Sequence, residues 1–411
     1  MPSSSHRGST VPLSPFRKLV ALAEKAKARG KRVYHLNIGQ PDIETPQSAI
    51  QSLQNQVIPV LEYSPAEGIA SYRQKLTTYY QKYQVQVSPE QIIVTTGASE
   101  AIYLTLLACL EAGESILVPE PFYANYNGFA HMAGVHIQTI TSYIEDGFAL
   151  PPVAEFEKYI TAETRAIFLC NPNNPTGTLY PKEDLEELAS ILKKYDLFLI
   201  VDEVYREFCY DGQTFTSALN ISGIEEHVIV IDSISKRYSA CGARVGALVT
   251  RNKSVLEAIS KYAKLRLGAP ALGQMLGEAL LDVEETYLEE VKAEYDRRRK
   301  TVYHRLQQMP GVVSYLPGGA FYCFAKFPVD NADHFCQWLV EEFDYQGATV
   351  MLSPGEAFYA TPGLGMGEVR LAYVINVEAL EAAMDCLEKA LEVYPGRVEK
   401  DSEQLLVSSY D

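Results

Sequence analysis

The chain has 411 residues, of which 47% are hydrophobic and 21% are charged. It can therefore bury a substantial core, and its length leaves room for two or three domains. The formal net charge of -16 argues against binding to a nucleic-acid backbone, because such surfaces are usually basic. An anionic metabolite would need a local positive pocket, which the net charge neither shows nor excludes.

The seven cysteines and seven histidines are scattered along the chain. None of their spacings fits a zinc site, so no metal is expected. Free thiols of this kind suit a reducing compartment. No apolar run reaches the roughly 18–20 residues of a membrane helix, and the N-terminus lacks the apolar block of a signal peptide. We expect a cytoplasmic protein that binds neither membrane nor nucleic acid.

Short apolar runs alternate with amphipathic stretches through the first two thirds of the chain. The runs predict buried strands at 92–94, 115–118, 166–170, 198–202, 228–232 and 247–250. Helices are predicted at 98–110 and 182–194. Buried strands that alternate with helices are typical of a mostly parallel sheet covered on both faces. Ligands of such sheets lie at the carboxyl ends of the strands.

The pattern changes near residue 287. The segment 287–308 is charged, helical in pattern and long enough to bridge two lobes. Beyond it, 311–327 and 368–374 look like strands of a smaller α+β unit. We therefore predict a large domain at 46–286, a bridging helix with a small domain at 287–395, and a polar tail at 396–411.

The sharpest motif directly follows the predicted strand 228–232. Lys236 is flanked by Ser233 and Ser235, and Arg244 lies eight positions further on (244 − 236). This arrangement suits an aldehyde that carries a phosphate group. Lys236 would bind the aldehyde covalently, while the two serines and the arginine would neutralise the phosphate.

Two glycines complete the motif. Gly242 and Gly246 would let the backbone approach the ligand closely. An isolated S-x-S-K sequence is more often a solvated loop with an ordinary lysine. The whole string from 233 to 246 favours the ligand site.

This string resembles the cofactor-lysine signature of class I/II aminotransferases, which belong to pyridoxal-phosphate fold type I. The resemblance runs from about Val11 to Tyr394. It implies an α/β architecture, with a large domain on a mostly parallel seven-stranded sheet covered by helices and a smaller α+β domain. Residues 1–45 would form an N-terminal arm and part of the small domain, and the large domain would bind pyridoxal 5'-phosphate.

The resemblance implies a set of contacts to the cofactor ring. Asp202 would hydrogen-bond the protonated pyridine nitrogen and keep the ring an electron sink. Asn174 and Tyr205 would bind the phenolic oxygen, and Tyr123 would stack on the ring. Taken alone, Asp202 could equally cap a helix, and Tyr123 could be a core residue.

The resemblance also implies a phosphate site. Gly97, Ala98 and Ser99 open a predicted helix directly after a strand, where free backbone amides attract anions. Ala98 and Ser99 would contact the phosphate, and Gly97 would allow its close approach. An ordinary strand-to-helix turn has the same pattern. Tyr63 would reach the phosphate of a neighbouring subunit, which implies a homodimer with shared active sites.

For the substrate, the resemblance points to Arg370, because a guanidinium can bind an α-carboxylate through two hydrogen bonds. The alternative for Arg370 is a surface position on a strand. Gly39 and Asn174 would supply further contacts to the substrate.

The implied reaction is the transfer of an amino group from an L-amino acid to a 2-oxo acid such as 2-oxoglutarate. Lys236, Asp202 and Tyr205 would be catalytic, with Lys236 moving the proton. Aspartate is the favoured donor, although some aspartate-active relatives have lysine where Ser99 stands. Arg17 could supply the missing charge, or it could be a solvated helix arginine.

Two other classes of function stay open. The same cofactor site can run a β-elimination or a ring-forming lyase reaction. A non-catalytic effector-sensing module is the second alternative, and it predicts an attached DNA-binding segment.

Overall fold

The structure is a computed structural model and describes residues 2–12 and 17–398. Its strands are β1 (Arg32–His35), β2 (Ile92–Thr95), β3 (Ser115–Glu120), β4 (His136–Thr141), β5 (Thr164–Cys170), β6 (Phe198–Asp202), β7 (Val228–Ser233), β8 (Gly246–Thr250), β9 (Val313–Ser314), β10 (Tyr322–Lys326), β11 (Ala348–Met351), β12 (Ser353–Pro354) and β13 (Glu368–Ala372). Its α-helices are α1 (His6–Thr10), α2 (Arg17–Ala28), α3 (Gln47–Gln54), α4 (Ala70–Gln81), α5 (Gly97–Cys109), α6 (Asn125–Ala133), α7 (Val153–Tyr159), α8 (Lys182–Tyr195), α9 (Ile234–Arg237), α10 (Lys253–Arg266), α11 (Ala271–Leu280), α12 (Glu285–Gln308), α13 (Ala332–Glu341) and α14 (Val377–Val393).

One large sheet dominates the described part of the chain. Its seven strands lie in the order β2-β8-β7-β6-β5-β3-β4. Strand β8 runs antiparallel to both β2 and β7, and the other neighbours are parallel. The mostly parallel seven-stranded sheet predicted above is therefore confirmed.

Both faces of the inner strands are buried, which explains why β5, β6 and β7 are continuous apolar runs. Along β6, Leu199 and Val201 pack into one hydrophobic cluster, whereas Ile200 packs into another. The first cluster includes Leu188 of α8, and the second includes Leu104 of α5. Successive side chains of a strand point to opposite faces, so helices cover the sheet on both sides.

A second core lies around α12, α13 and α14. Strand β1 pairs in parallel with β11, and β12, β13, β10 and β9 form a four-stranded sheet. Val302 of α12 packs in this core, while Leu288 near the start of the same helix packs against a core of the large sheet. The 24-residue helix α12 thus contacts both cores. The domain boundaries at 46, 287 and 396 stay a prediction.

Three details differ from the pattern-based prediction. Strand β4 was not predicted, and 311–327 contains two short strands separated by a loop. The first residues of the predicted polar tail are packed, since Val398 donates to the carbonyl of Pro328. Residues 399–411 of that tail lie outside the described residues. No helix in the described ranges is long and apolar enough to cross a membrane.

The two motif glycines have different environments. A Cβ added to Gly246 would lie 2.5 Å from the carbonyl carbon of Gly97 and 2.8 Å from the carbonyl oxygen of Asp232. Gly246 therefore permits the close packing of β7, β8 and the start of α5. Gly242 is exposed, and a Cβ there would meet nothing within 4 Å. No described residue therefore requires a glycine at 242, and the expected close approach of its backbone to a ligand stays a prediction.

This difference yields a test of the packing. Gly246→Ala should lower the free energy of unfolding by about 1–3 kcal/mol, because the rigid backbone around it cannot make room. Gly242→Ala is the matched control and should change stability by less than about 0.5 kcal/mol. Urea unfolding of both variants measures the difference, and an equal loss in the two would contradict the packing argument.

Candidate active site

A cavity of about 390 Å³ lies at the carboxyl ends of β6 and β7. It brings together twelve of the fourteen site residues predicted from the sequence: Gly39, Ala98, Ser99, Tyr123, Asn174, Asp202, Tyr205, Ser233, Ser235, Lys236, Arg244 and Arg370. Gly97 and Tyr63 do not line it. The residues come from distant parts of the chain, and the ends of the parallel strands gather them at one edge of the sheet.

Lys236 lies in the short helix α9, directly after β7. Ser233 precedes this helix, and its hydroxyl accepts a hydrogen bond from the backbone amide of Ser235 at 3.1 Å. The Lys236 amine donates to the carbonyl of Gly39 at 2.8 Å. Burial lowers the pKa of Lys236, and the positive charge of Arg370 lowers it further. The pocket thus favours the neutral amine, which is the form that acts as a nucleophile or a base.

Asp202 ends β6 and is buried. Its carboxylate accepts hydrogen bonds from the hydroxyl of Tyr126 at 2.9 Å and from the amide of Val204 at 3.3 Å. Within the described ranges Asp202 forms no ion pair, whereas Asp232 on the next strand pairs with Arg206 and Arg237. Burial raises the pKa of Asp202 to about 6. The site therefore holds a buried carboxylate that a cationic ligand group would stabilise.

Arg370 lies in β13 and is buried, so it is not a surface strand arginine. Its guanidinium donates to the side-chain oxygen of Asn174 at 2.9 Å and to the carbonyl of Asn37 at 2.6 Å. The amide nitrogen of Asn174 lies 3.5 Å from the hydroxyl of Tyr205. These contacts fix the orientation of the planar guanidinium, as recognition of a carboxylate requires.

Arg244 and Gly97 form a tight corner of the site. A Cβ added to Gly97 would lie 2.5 Å from a terminal nitrogen of Arg244. Gly97 itself has a φ of +73° and Arg244 a φ of +52°, a left-handed conformation that is uncommon for an arginine. The guanidinium is thereby held against the first residues of α5, where Ala98 and Ser99 line the cavity. A cation beside free backbone amides suits a phosphate group.

Tyr123 and Tyr63 occupy contrasting positions. Tyr123 lines the cavity, and its hydroxyl accepts a hydrogen bond from the side chain of Asn125 at 2.8 Å. Tyr63 is 84% exposed and has Val60 and Leu61 as exposed apolar neighbours. Tyr63 therefore contributes nothing to the cavity of its own chain.

Tyr322, which was not predicted from the sequence, also lines the cavity. Its hydroxyl lies 2.8 Å from that of Tyr205, and its ring lies under the guanidinium of Arg370. The string Gly318-Gly319-Ala320 shortly before Tyr322 could have indicated an irregular segment at this point. Ala320 there has a left-handed backbone conformation. That string was interpreted only as part of a strand.

Comparison with known proteins gives a consistent result. Residues 31–387 match the family model "Aminotransferase class I and II". Aromatic-amino-acid aminotransferase 2 of Thermococcus litoralis is 33% identical over 395 residues, which cover 94% of this chain and 98% of that protein. Aspartate aminotransferase of Pyrococcus horikoshii is 32% identical over 381 residues, covering 91% and 94%.

Solved structures agree with these relatives. The structure of aspartate aminotransferase from Thermotoga maritima has a TM-score of 0.86 and 30% identity, covering 95% of this chain and all of that one. A double mutant of the Thermus thermophilus enzyme has a TM-score of 0.87 and 26% identity. The chain belongs to the class I and II aminotransferases, with their fold type I architecture. It is a transaminase, and the lyase alternative is not favoured.

The unpaired carboxylate of Asp202 makes a prediction about stability. With a folded pKa of about 6 against an ordinary value near 4, its ionisation costs stability as the pH rises from about 4 to about 6. In protein freed of bound small molecules, Asp202→Asn should therefore raise the free energy of unfolding by roughly 1–3 kcal/mol at pH 8. The gain should disappear near pH 4, and urea unfolding across this range measures it.

Asp232→Asn is the matched control with the opposite sign. Burial opposes ionisation of Asp232, but the charges of Arg206 and Arg237 outweigh burial and hold its pKa at about 2. Its ionised form therefore stabilises the fold above about pH 4, and the asparagine variant should be destabilised at pH 8. If both variants lose stability at pH 8, the interpretation of Asp202 is wrong.

Proposed function

We propose that this transaminase moves an amino group from an L-amino acid to a 2-oxo acid and that it uses pyridoxal 5'-phosphate, held by Lys236. The observation that carries the proposal is the convergence of three groups in one cavity. These are the amine of Lys236, whose pKa is lowered by burial, the unpaired buried carboxylate of Asp202 and the fixed guanidinium of Arg370. Each group would bind a different part of one cofactor or of one α-amino acid.

The residues present fit this cofactor. The corner of Gly97 and Arg244, with the amides that open α5, matches the phosphate group. At the other end, Asp202 matches a protonated pyridine nitrogen, because that cation would relieve the cost of burying the carboxylate. Ser233 and Ser235 would add donors to the phosphate. When bound, the cofactor supplies an electron sink for charge that develops at the substrate's α-carbon.

Side chains of the protein would bind the substrate and move its α-proton. Arg370 binds the α-carboxylate, with Asn174 and the backbone at Gly39 beside it, and so fixes the orientation of the α-carbon. Lys236 would hold the cofactor and, as general base and acid, would remove and return the proton at the substrate's α-carbon. Tyr205 would donate to the phenolic oxygen of the cofactor, Tyr123 would contact its ring, and Ala98 and Ser99 would complete the phosphate contacts.

For the amino donor we propose aspartate, on the strength of relatives named aspartate aminotransferase. A second carboxylate needs a further cation. Among the described residues, the basic side chains that line the cavity are those of Lys236, Arg244 and Arg370, and each already has another task. The side chain of Arg17, named above as one source of this charge, lies outside the described residues. An aromatic amino acid is the competing donor, since another relative carries that name.

We also propose a homodimer in which Tyr63 serves the cofactor of the second copy. Its exposure beside Val60 and Leu61 supports this, because contiguous exposed apolar side chains often mark an interface. We propose a cytoplasmic location because all seven cysteines are free thiols, as is usual in a reducing compartment.

A donor screen tests the activity. With 2-oxoglutarate as acceptor, the chain should convert its donor to a 2-oxo acid and form glutamate in equal amounts. Lys236→Ala should lower this rate by about 10²–10⁴-fold or more, because it removes the group that moves the proton. Lys253→Ala, at an exposed position, is the control and should leave the rate unchanged. Pyruvate or ammonia released without an acceptor would favour a lyase instead.

Arg370→Lys tests the carboxylate site. Lysine keeps the positive charge but loses the planar pair of donors, so the KM for the donor should rise about 10–100-fold. The effect should be the same for donors with different side chains, because all share the α-carboxylate. A loss confined to one donor would show that Arg370 reads the side chain instead.

A further inference from the structure

Tyr322 is buried at the start of β10, where that strand lies against β13. In this antiparallel pair Phe324 lies opposite Arg370, and Tyr322, two residues earlier, points to the same face. Its ring centre lies 4.7 Å from the guanidinium carbon of Arg370, and the ring of Phe358 lies 4.8 Å from the same atom. Two aromatic rings therefore contact the guanidinium, an arrangement that favours the cation.

The hydroxyl of Tyr322 has a different partner. It lies 2.8 Å from the hydroxyl of Tyr205, and either oxygen could donate. If Tyr205 gives its single proton to the cofactor's phenolic oxygen, as the proposed function requires, its own oxygen must accept from Tyr322. A hydroxyl that accepts one hydrogen bond becomes a stronger donor of the next.

The position of this hydroxyl is closely constrained. A Cβ added to Gly39 would lie 1.8 Å from the Tyr322 hydroxyl oxygen and 2.6 Å from the ring carbon that bears it. The carbonyl of Gly39 in turn accepts the hydrogen bond from Lys236. Tyr322 thus lies between Tyr205 and the backbone that holds the amine, with no room to move toward that backbone.

We infer that Tyr322 is a positioning residue with two separable tasks: its hydroxyl orients Tyr205 toward the phenolic oxygen of the cofactor, and its ring holds Arg370 for the α-carboxylate. The inference rests on the proposed function. Tyr205 follows a strand of the large sheet and Arg370 belongs to the four-stranded sheet. Through Tyr322, the two binding groups keep a fixed distance from each other.

The hydroxyl is tested with two forms of the cofactor. Tyr322→Phe should raise the Kd of the cofactor-free protein for pyridoxal phosphate about 3- to 10-fold, the range of one lost hydrogen bond. For the analogue that lacks the phenolic hydroxyl, 3-deoxypyridoxal phosphate, the Kd should not change. The donor's KM should stay within twofold, while kcat falls. Equal effects on the two cofactors would overturn the role assigned to the hydroxyl.

The ring is tested with a second variant. Tyr322→Leu should give the cofactor effect of Tyr322→Phe and in addition raise the donor's KM about 5-fold, because Arg370 loses one aromatic contact. If the KM of Tyr322→Leu equals that of Tyr322→Phe, the ring does not position Arg370. In a Tyr205→Phe background, Tyr322→Phe should leave the Kd for pyridoxal phosphate unchanged, since coupled residues are not additive.

Tyr373→Phe is the matched control. It removes a buried tyrosine hydroxyl that donates to the carbonyl of Ala320 at 3.3 Å, outside the cavity lining. It should lower the thermal midpoint as much as Tyr322→Phe does and leave both the cofactor Kd and the donor KM unchanged. The same shifts in Tyr373→Phe would reduce Tyr322 to a structural role. If the unsubstituted protein fails to bind pyridoxal phosphate, the proposed function fails first.

Discussion

The site depends on one buried carboxylate that anchors the chain on both sides of it. Asp232, near the end of β7, lies 2.7 Å from Arg237 and 3.7 Å from Arg206. Arg237 directly follows Lys236, and Arg206 directly follows Tyr205. Because a buried charge must stay paired, the two arginines cannot move from Asp232 without a large loss of stability.

This anchoring explains how a flexible side chain gains a fixed position. Arg237, at the end of α9, pairs with Asp232 and holds the backbone of this helix in place. The amine of the preceding residue, Lys236, donates to the carbonyl of Gly39. The pKa of Asp232 is lowered, whereas the pKa of Asp202, on the neighbouring strand β6, is raised. The difference arises because two arginines pair with Asp232, whereas Asp202 is buried without an ion-pair partner in the described ranges.

The sequence predicted the features that short-range patterns encode. The buried strands β5, β6 and β7 are continuous apolar runs, and Lys236, Asp202 and Asn174 each follow one of them at a recognisable motif. Strand β4 was missed because it is an edge strand with the mixed sequence HIQTIT and incomplete burial, so it lacks both the apolar run and a strict alternation.

Tyr322 was missed for another reason. Its importance lies in contacts with Tyr205 and Arg370, which are 117 and 48 positions away (322 − 205 and 370 − 322), and no local pattern records such contacts. Gly242 is a motif residue that the packing of the described residues does not require. A glycine in a motif can be permissive without being required, and only the space around its α-carbon distinguishes the two cases.

The close approach of Gly39 and Tyr322 has an evolutionary consequence. Since the ring carbons as well as the hydroxyl of Tyr322 occupy the space where a side chain at position 39 would begin, position 39 cannot become larger while Tyr322 is present. Sequences that descend from this chain should therefore vary at 39 and 322 together: a larger residue at 39 becomes tolerable only after 322 has become smaller. Substitution at these two positions would therefore pass through a variant with a cavity in the pocket, and not through one in which the two side chains overlap.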